Sequence, residues 1–219
     1  MALSATPEPV LVELYSSEGC SSCPSADAAL QERSAKDDSV LALEFHVDYW
    51  NSLGWADPFS SAAYTERQSR YAVLLNSDQV FTPQAIVDGR TSLVGSDRGA
   101  LQAAIARART SGKPTLSVAV AGRVLSIAAT AAPAGRLWVA VTESGLRTAV
   151  PRGENAGRVL EHAPVVRSFQ SFGAVSSGAW SKAVDLALDA HWKPGALRVV
   201  VAVQDPDSGA IRALGSTRL

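Results

Sequence analysis

Hydrophobic and polar positions alternate in two different ways along the chain, and the change falls near residue 110. Before it, the short apolar runs Val10–Tyr15 and Val40–Val47 predict buried strands, and the segments between such runs have one apolar face at helical spacing. After it, apolar residues recur at every second position, which is typical of half-buried β-strands. The sequence therefore predicts a mixed α/β half followed by an all-β half.

The first half predicts the element order β-α-β-α-β-β-α, ending near Arg109. Helices are indicated from Pro24 onward, over Ser60–Leu75 and after Ser96, because a proline in the first turn or a serine cap precedes each apolar face. A proline also begins the short strand that leads into the Asp88-Gly89 turn, a pair that favours a hairpin. Strands joined by helices of this length indicate parallel crossovers.

The second half contains about seven strand candidates, enough for a small β-sandwich. The segment between the halves, residues 110–114, contains glycine and proline and resembles a linker. We therefore expect two domains, an α/β domain over residues 1–110 and an all-β, sandwich-like domain over residues 111–219.

Composition excludes several classes of function. The 219 residues are 47% hydrophobic and 19% charged, as in globular proteins, and no apolar run is long enough for a membrane span. A net charge of -1 without a dense Lys/Arg tract argues against nucleic acid or anionic lipid as a partner. Met1–Pro9 lacks the pattern of a secretory signal. The expected location is cytoplasmic, or periplasmic or secreted if a signal has been removed, and the oligomeric state stays open.

The two cysteines, Cys20 and Cys23, lie three residues apart just before a predicted helix. A disulfide across so short a loop removes little entropy from the unfolded chain, whereas this spacing suits reversible thiol-disulfide exchange. A helix N-terminus stabilises a thiolate through its unpaired N–H groups. We therefore predict Cys20 as the nucleophile and Cys23 as the residue that resolves a mixed disulfide.

The element order, the CxxC pair at the first helix and the Thr82-Pro83 pair before the third strand resemble the thioredoxin superfamily. This resemblance implies a thioredoxin-like N-terminal domain in which Pro83 is cis and lies against Cys20, while Thr82 offers backbone hydrogen bonds to a substrate strand. Glu13 falls one residue from the place of a buried carboxylate that moves protons for the resolving cysteine. The sequence departs from thioredoxins in Ser21-Ser22, where they have Gly-Pro, and in lacking a tryptophan before Cys20.

A second resemblance extends over almost the whole chain. It is to the bacterial family known as domain of unknown function 1223, many of whose members look exported; the family implies a fold and names no substrate. The segments that carry this resemblance are Glu18–Pro24, Phe45–Trp50, Thr82–Gln84, Val94–Asp97 and Gly153–Arg158.

Three classes of function fit these features. The leading prediction is a thiol-disulfide oxidoreductase that acts on protein thiols or disulfides without a diffusible cofactor. The alternative is a copper- or zinc-binding protein or metal chaperone that uses Cys20 and Cys23, with His46 if it reaches the same sheet edge. Methionine is absent apart from Met1, which weakens the copper interpretation. In the third class, the β-sandwich is a docking or adhesion module.

Structural roles compete with functional ones at four places. Glu13 fits a half-exposed strand carboxylate as well as a proton-transfer group, and His46 fits a core histidine better than a ligand. The aromatic residues of Asp48–Trp50 either line a cleft or cover the core. Gly153–Arg158 is rich in turn formers, so a structural loop is favoured there.

Overall fold

The computed structural model describes residues 8–219, so most of Met1–Pro9, on which the localisation prediction depends, lies outside the described residues. The helices within this range are α1 (Pro24–Lys36), α2 (Ala62–Leu74), α3 (Arg98–Ala108) and a short 3-10 helix (Asn51–Leu53). In residues 8–219, the helices are all too short or too polar to cross a membrane.

Thirteen strands form three sheets within residues 8–219. They are β1 (Val10–Ser16), β2 (Val40–His46), β3 (Gln84–Val87), β4 (Thr91–Val94), β5 (Ser117–Ala121), β6 (Val124–Ala132), β7 (Gly135–Glu143), β8 (Arg147–Ala149), β9 (Val159–Glu161), β10 (Val165–Val175), β11 (Gly178–Asp185), β12 (Leu197–Gln204) and β13 (Ile211–Arg218). The largest sheet has eight strands in the order β13-β12-β7-β10-β2-β1-β3-β4. β11, β6 and β5 form a second sheet, and β8 pairs with β9.

The predicted fold class, an α/β thioredoxin-like domain followed by a separate sandwich, is wrong. The chain is mostly β, and one mixed sheet takes strands from both halves of the sequence. The two sets of strands join where β10 runs parallel to β2, with Val165 opposite Glu44 and the Glu44 N–H donating to the Pro164 carbonyl at 2.9 Å. A free edge at β2 would leave backbone groups unpaired, and the start of β10 pairs with this edge at Glu44. The division between residues 110 and 111 stays a prediction.

Both faces of the eight-stranded sheet are covered. On one face, α1 and α3 pack over β1, β2 and β3 through residues such as Leu30 and Ile105, and the three-stranded sheet packs over β7 and β12 through residues such as Ile127. On the other face, α2 lies over a core that runs from β1 to β13 and includes Tyr71 and Trp138. Residues that alternate along each strand therefore enter different cores.

Local sequence signals fix the ends of the helices. Pro24 occupies the first turn of α1, where its missing N–H costs nothing, and Ser61 caps α2 by accepting from the Ala63 N–H. Asp97 caps α3 by accepting from the Ala100 N–H at 2.9 Å. These caps place the start of α1 directly after the cysteine loop.

Candidate functional site

The cysteine loop connects the end of β1 to the start of α1. Cys20 donates its N–H to the Ser17 carbonyl at 3.1 Å, and Cys23 donates to the Cys20 carbonyl at 3.2 Å. Cys23 is the N-cap of α1, and the N–H of Ala26 then donates to its carbonyl at 2.8 Å. Two successive tight turns therefore bring both sulfurs to the N-terminus of a helix.

Cys20 and Cys23 form a disulfide, with 5.4 Å between their Cα atoms. Both residues are 0% exposed, and the Ser22 hydroxyl lies 3.3 Å from the Cys20 sulfur. In the reduced protein, the partial positive charge at the N-terminus of α1 favours a thiolate on these sulfurs. The structure thus brings the predicted pair together at the predicted helix end, under a cover of other residues.

A segment from the second half of the chain forms part of that cover. The Asn155 side-chain amide donates to the Glu18 carbonyl at 2.9 Å and to the Cys20 carbonyl at 3.0 Å, and both bonds are buried. The Glu154 carboxylate accepts from the Ser21 N–H at 3.1 Å, and Arg158 donates to the Asn155 side-chain oxygen at 2.7 Å. The segment 153–158 is therefore fastened to the cysteine loop by side chains.

The predicted residues Thr82 and Pro83 are linked to the cysteine loop through Trp50. Their peptide bond is cis, as expected from the sequence. The Trp50 indole donates to the Thr82 hydroxyl at 2.9 Å, and a Cβ on Gly19 would lie 3.0 Å from the Trp50 Cβ. Trp50 therefore lies between the cysteine loop and Thr82. Within residues 8–219, the Thr82 N–H and carbonyl make no hydrogen bond.

The structure does not bring Glu13 to the cysteines. Glu13 accepts from the Arg67 guanidinium at 2.7 and 3.0 Å, and from the hydroxyls of Tyr71 at 2.6 Å and Tyr15 at 3.1 Å. It shares the face of β1 that packs against α2, whereas the next residue, Leu14, faces α1. The proton-transfer role of Glu13 stays a prediction, and its described contacts form a buried ion pair under α2.

A buried carboxyl group does lie on the helix that begins at Cys23. Asp27 donates its backbone N–H to the Cys23 carbonyl at 3.1 Å, and its side chain accepts from the Ser16 hydroxyl at 2.8 Å. Burial, followed by the charge of Glu44, raises the pKa of Asp27 well above its ordinary value. The α1 face of the sheet therefore carries a carboxyl group that the sequence did not single out.

A cluster of buried charged side chains lies on the same face of the sheet. Glu44 and His46 point from β2 to one side, and the chain beyond β9 adds His162. His46 Nε2 and His162 Nδ1 both face the Glu44 carboxylate. The second nitrogen of each ring contacts a different carboxylate: His46 Nδ1 lies 2.6 Å from Asp57 Oδ2, and His162 Nε2 lies 3.1 Å from Glu18 Oε1. Glu18 also donates its N–H to Asp57 at 2.8 Å. The cluster is thus connected to the cysteine loop through Glu18.

Charges within the cluster shift its pKa values strongly. Burial lowers the pKa of His46, but the charges of Asp57 and Glu44 outweigh burial and raise it well above the ordinary histidine value. Burial also lowers the pKa of His162, and contacts with Glu18 and Glu44 raise it to about 9. Burial raises the pKa of Glu44, and the two histidines bring it down to about 2. Opposite charges therefore stabilise one another in this interior.

Comparison with known proteins places the chain in a family. The family described as Protein of unknown function (DUF1223) matches residues 11–204. The chain belongs to this family. A crystal structure of a protein from Agrobacterium tumefaciens is similar, with 29% sequence identity and a TM-score of 0.78 over 96% of this chain and 93% of that one. No match to a curated protein was found.

A more distant structure shares the fold alone. HBP35 of Porphyromonas gingivalis has a TM-score of 0.64 at 13% identity, over 98% of this chain and 76% of that one. The match to the DUF1223 family over residues 11–204 confirms the resemblance to that family. The resemblance to the thioredoxin superfamily is not confirmed by these comparisons.

Several residues of the site were missed by sequence reasoning. Glu44 was not considered, and His46 was considered only as a metal ligand together with the cysteines or as a core histidine. Both are polar residues at alternate positions of an otherwise apolar strand, and this was a signal that the face they share has a special environment. Asn155 lies in the Gly153–Arg158 segment, for which a structural loop was favoured, and its contact with the cysteine loop was not predicted. Asp57 and His162 gave no comparable signal, because each reaches the site through a loop from a distant part of the chain.

Proposed function

We propose that this protein is a thiol-disulfide oxidoreductase that exchanges disulfides with a protein substrate through Cys20 and Cys23. The observation that carries the proposal is the disulfide between these residues at the N-terminus of α1. A short bridge of this kind adds little to stability through chain entropy, whereas the helix end favours a leaving thiolate. The pair therefore suits exchange better than it suits a structural crosslink.

The reaction transfers two electrons and two protons between the cysteine pair and the substrate. In the reducing direction, the Cys20 thiolate attacks a substrate disulfide, forms a mixed disulfide and releases one substrate thiol. The Cys23 thiolate then attacks Cys20, which forms the intramolecular disulfide and releases the second substrate thiol. The oxidised protein and a substrate dithiol react by the reverse sequence, so the same pair serves either direction and no diffusible cofactor takes part.

The neighbouring loop supports the binding of an extended substrate. Thr82 has a backbone N–H and carbonyl that make no hydrogen bond within residues 8–219. These groups can pair with a substrate strand, as in other forms of β-augmentation. Pro83 lies beside the first turn of α1, since a Cβ on Gly95 would contact both Pro83 Cβ at 3.5 Å and Ala26 Cβ at 3.1 Å. Thr82 and Pro83 are thus proposed as substrate-positioning residues.

Burial of both cysteines sets a condition on this function. Because Cys20 is 0% exposed, a substrate reaches the sulfur only after a local rearrangement, and we propose that segment 153–158, which is bonded to the cysteine loop, is the part that moves. Exchange is therefore expected to follow a local opening.

The alternative, copper or zinc binding by the same two cysteines, demands both sulfurs as thiolates at once. In the disulfide neither sulfur is available in that form. Metal binding through the cysteines therefore requires the reduced protein, whereas exchange uses both redox states.

Single substitutions test the proposed roles. Cys23→Ser leaves Cys20 unable to resolve its mixed disulfide, so a reduced variant incubated with a disulfide-bonded peptide should retain the peptide covalently, as seen by non-reducing mass spectrometry. Cys20→Ser is the matched control and should retain none. Equal trapping by the two variants, or trapping by neither while both stay folded, would contradict the proposal.

A further inference from the structure

We propose that Glu44, His46 and His162 form a binding site for a divalent transition-metal ion of the zinc class, built without the cysteines. Their ligand atoms lie within 4.8 Å of one another, and all three residues are buried. Two imidazoles and one carboxylate form a ligand set that binds zinc in many proteins. This site is independent of the proposed disulfide exchange, so either proposal can fail alone.

The spacing of the ligand atoms fits an ion at their centre. His46 Nε2 lies 3.0 Å from Glu44 Oε1, and His162 Nδ1 lies 3.6 Å from the same oxygen. Zinc bound tetrahedrally at about 2.0–2.1 Å holds its ligand atoms about 3.3–3.4 Å apart. These two distances fall on either side of this value, and the two ring nitrogens lie within 4.8 Å of each other, so side-chain movements of this size bring the three atoms around one ion.

The same atoms contact one another at ion-pair distance but make no hydrogen bond within the described residues. Both Glu44 carboxylate oxygens, His46 Nε2 and His162 Nδ1 are buried without a hydrogen bond in residues 8–219. They account for four of the seven such side-chain atoms in that range. Buried polar atoms in proteins nearly always form hydrogen bonds, so four such atoms without one at a single point need an explanation. A cation bound between them satisfies all of the ligand atoms together.

The outer contacts orient both rings toward this point. His46 uses Nδ1 to contact Asp57, and His162 uses Nε2 to contact Glu18, which leaves the remaining nitrogen of each ring directed at Glu44. Histidines that bind metals usually donate their second N–H to a carboxylate or a carbonyl in this way. Both rings show the pattern independently, from different parts of the chain.

A network of ion pairs without metal is the competing explanation. Protonated histidines could balance the carboxylates of Glu44, Asp57 and Glu18, with Asp27 nearby. That network would have little affinity for an added cation. Metal binding by the native protein therefore distinguishes the two.

The first experiment titrates the oxidised full-length protein, free of any affinity tag and pretreated with chelator, with Zn²⁺ and separately with Co²⁺. Absence of free thiols is verified by mass spectrometry after alkylation, so the cysteines cannot supply ligands. We expect one equivalent of either ion to bind and the melting temperature to rise. Failure of the folded wild-type protein to bind either ion would overturn the proposal.

Substitutions then locate the ion. Asp57 only orients His46, so Asp57→Asn should weaken metal binding about 10–100-fold. A larger loss of affinity is expected from each substitution of a ligand, Glu44→Gln, His46→Gln and His162→Gln. The third histidine of the chain, His191, is exposed, so His191→Gln is the matched control and should bind like the wild type. Wild-type affinity in His46→Gln and His162→Gln would overturn the assignment.

X-ray absorption at the zinc edge of the oxidised wild-type protein gives an answer that does not depend on the stability of any variant. The spectrum should show nitrogen and oxygen neighbours at about 2.0–2.1 Å with imidazole outer shells. A spectrum without imidazole, or one with sulfur at about 2.3 Å, would refute this site.

Discussion

Asn155→Ala should make the buried disulfide react faster. The Asn155 amide donates two buried hydrogen bonds, to the carbonyls of Glu18 and Cys20, and these are replaced by water only when segment 153–158 opens. Loss of a buried hydrogen bond that leaves its partner unsatisfied costs about 1–3 kcal/mol, which corresponds to an opening equilibrium raised about 5- to 150-fold. Reduction by a thiol reagent should accelerate by the same factor, since it depends on the open state.

The assay follows reduction of the oxidised protein by dithiothreitol, with alkylation and mass spectrometry at timed intervals. His191→Ala is the control, because its side chain is exposed and contacts Asp189 in the same connection between β11 and β12. In the wild type and in both variants, the rate of reduction should not depend on urea at low concentrations, since local opening exposes little surface. An unchanged rate in Asn155→Ala would refute this account of the cover, as would a rate that rises with urea from the start.

Three further predictions concern stability and domain organisation. Glu13→Gln should lower the free energy of unfolding by about 3 kcal/mol in urea titrations, because it leaves the Arg67 guanidinium without its charge partner; a change below about 1 kcal/mol would contradict the importance of this ion pair. Gly89→Ala should lower the melting temperature strongly, since its φ is +65° and a Cβ would lie 1.9 Å from the Gly209 carbonyl oxygen; an unchanged melting temperature would contradict that contact. The predicted division near residue 110 expects residues 1–110 to melt cooperatively on their own in circular dichroism, and a gradual transition would contradict it.

Local features of the sequence were sufficient to predict the cysteine region. The apolar run of β1, the proline at the first turn of α1 and the Cys20/Cys23 spacing each act within a few residues, and the structure has the strand, the helix and the bridge there. The element boundaries of this region follow from short-range sterics and capping, which a sequence displays directly.

Long-range pairing was not predictable in the same way. The alternating pattern of β10 shows that it is a strand, but any exposed strand edge with matching apolar faces could accept it. The fold class was therefore wrong, since β10 joins β2 and unites the sheet. For the same reason the sequence did not predict that Asn155 would cover Cys20 or that His162 would meet His46.

Glu13 illustrates a different limit of sequence reasoning. Its position in β1 was known to within a residue, yet in a strand one residue decides which face a side chain occupies. Glu13 faces α2 and Arg67, whereas α1, which begins at the cysteine pair, packs against the opposite face of β1. Only the folded sheet shows which face of β1 packs against α1 and which packs against α2.

A redox titration of the Cys20/Cys23 pair tests the proposed exchange most directly. The native protein is equilibrated in thiol-disulfide buffers of graded potential, and the oxidised fraction is measured by alkylation and mass spectrometry. Exchange predicts a single two-electron transition with a midpoint between about -270 and -120 mV, the range of dithiol oxidoreductases. A midpoint below about -300 mV, typical of structural disulfides, would contradict the proposed function.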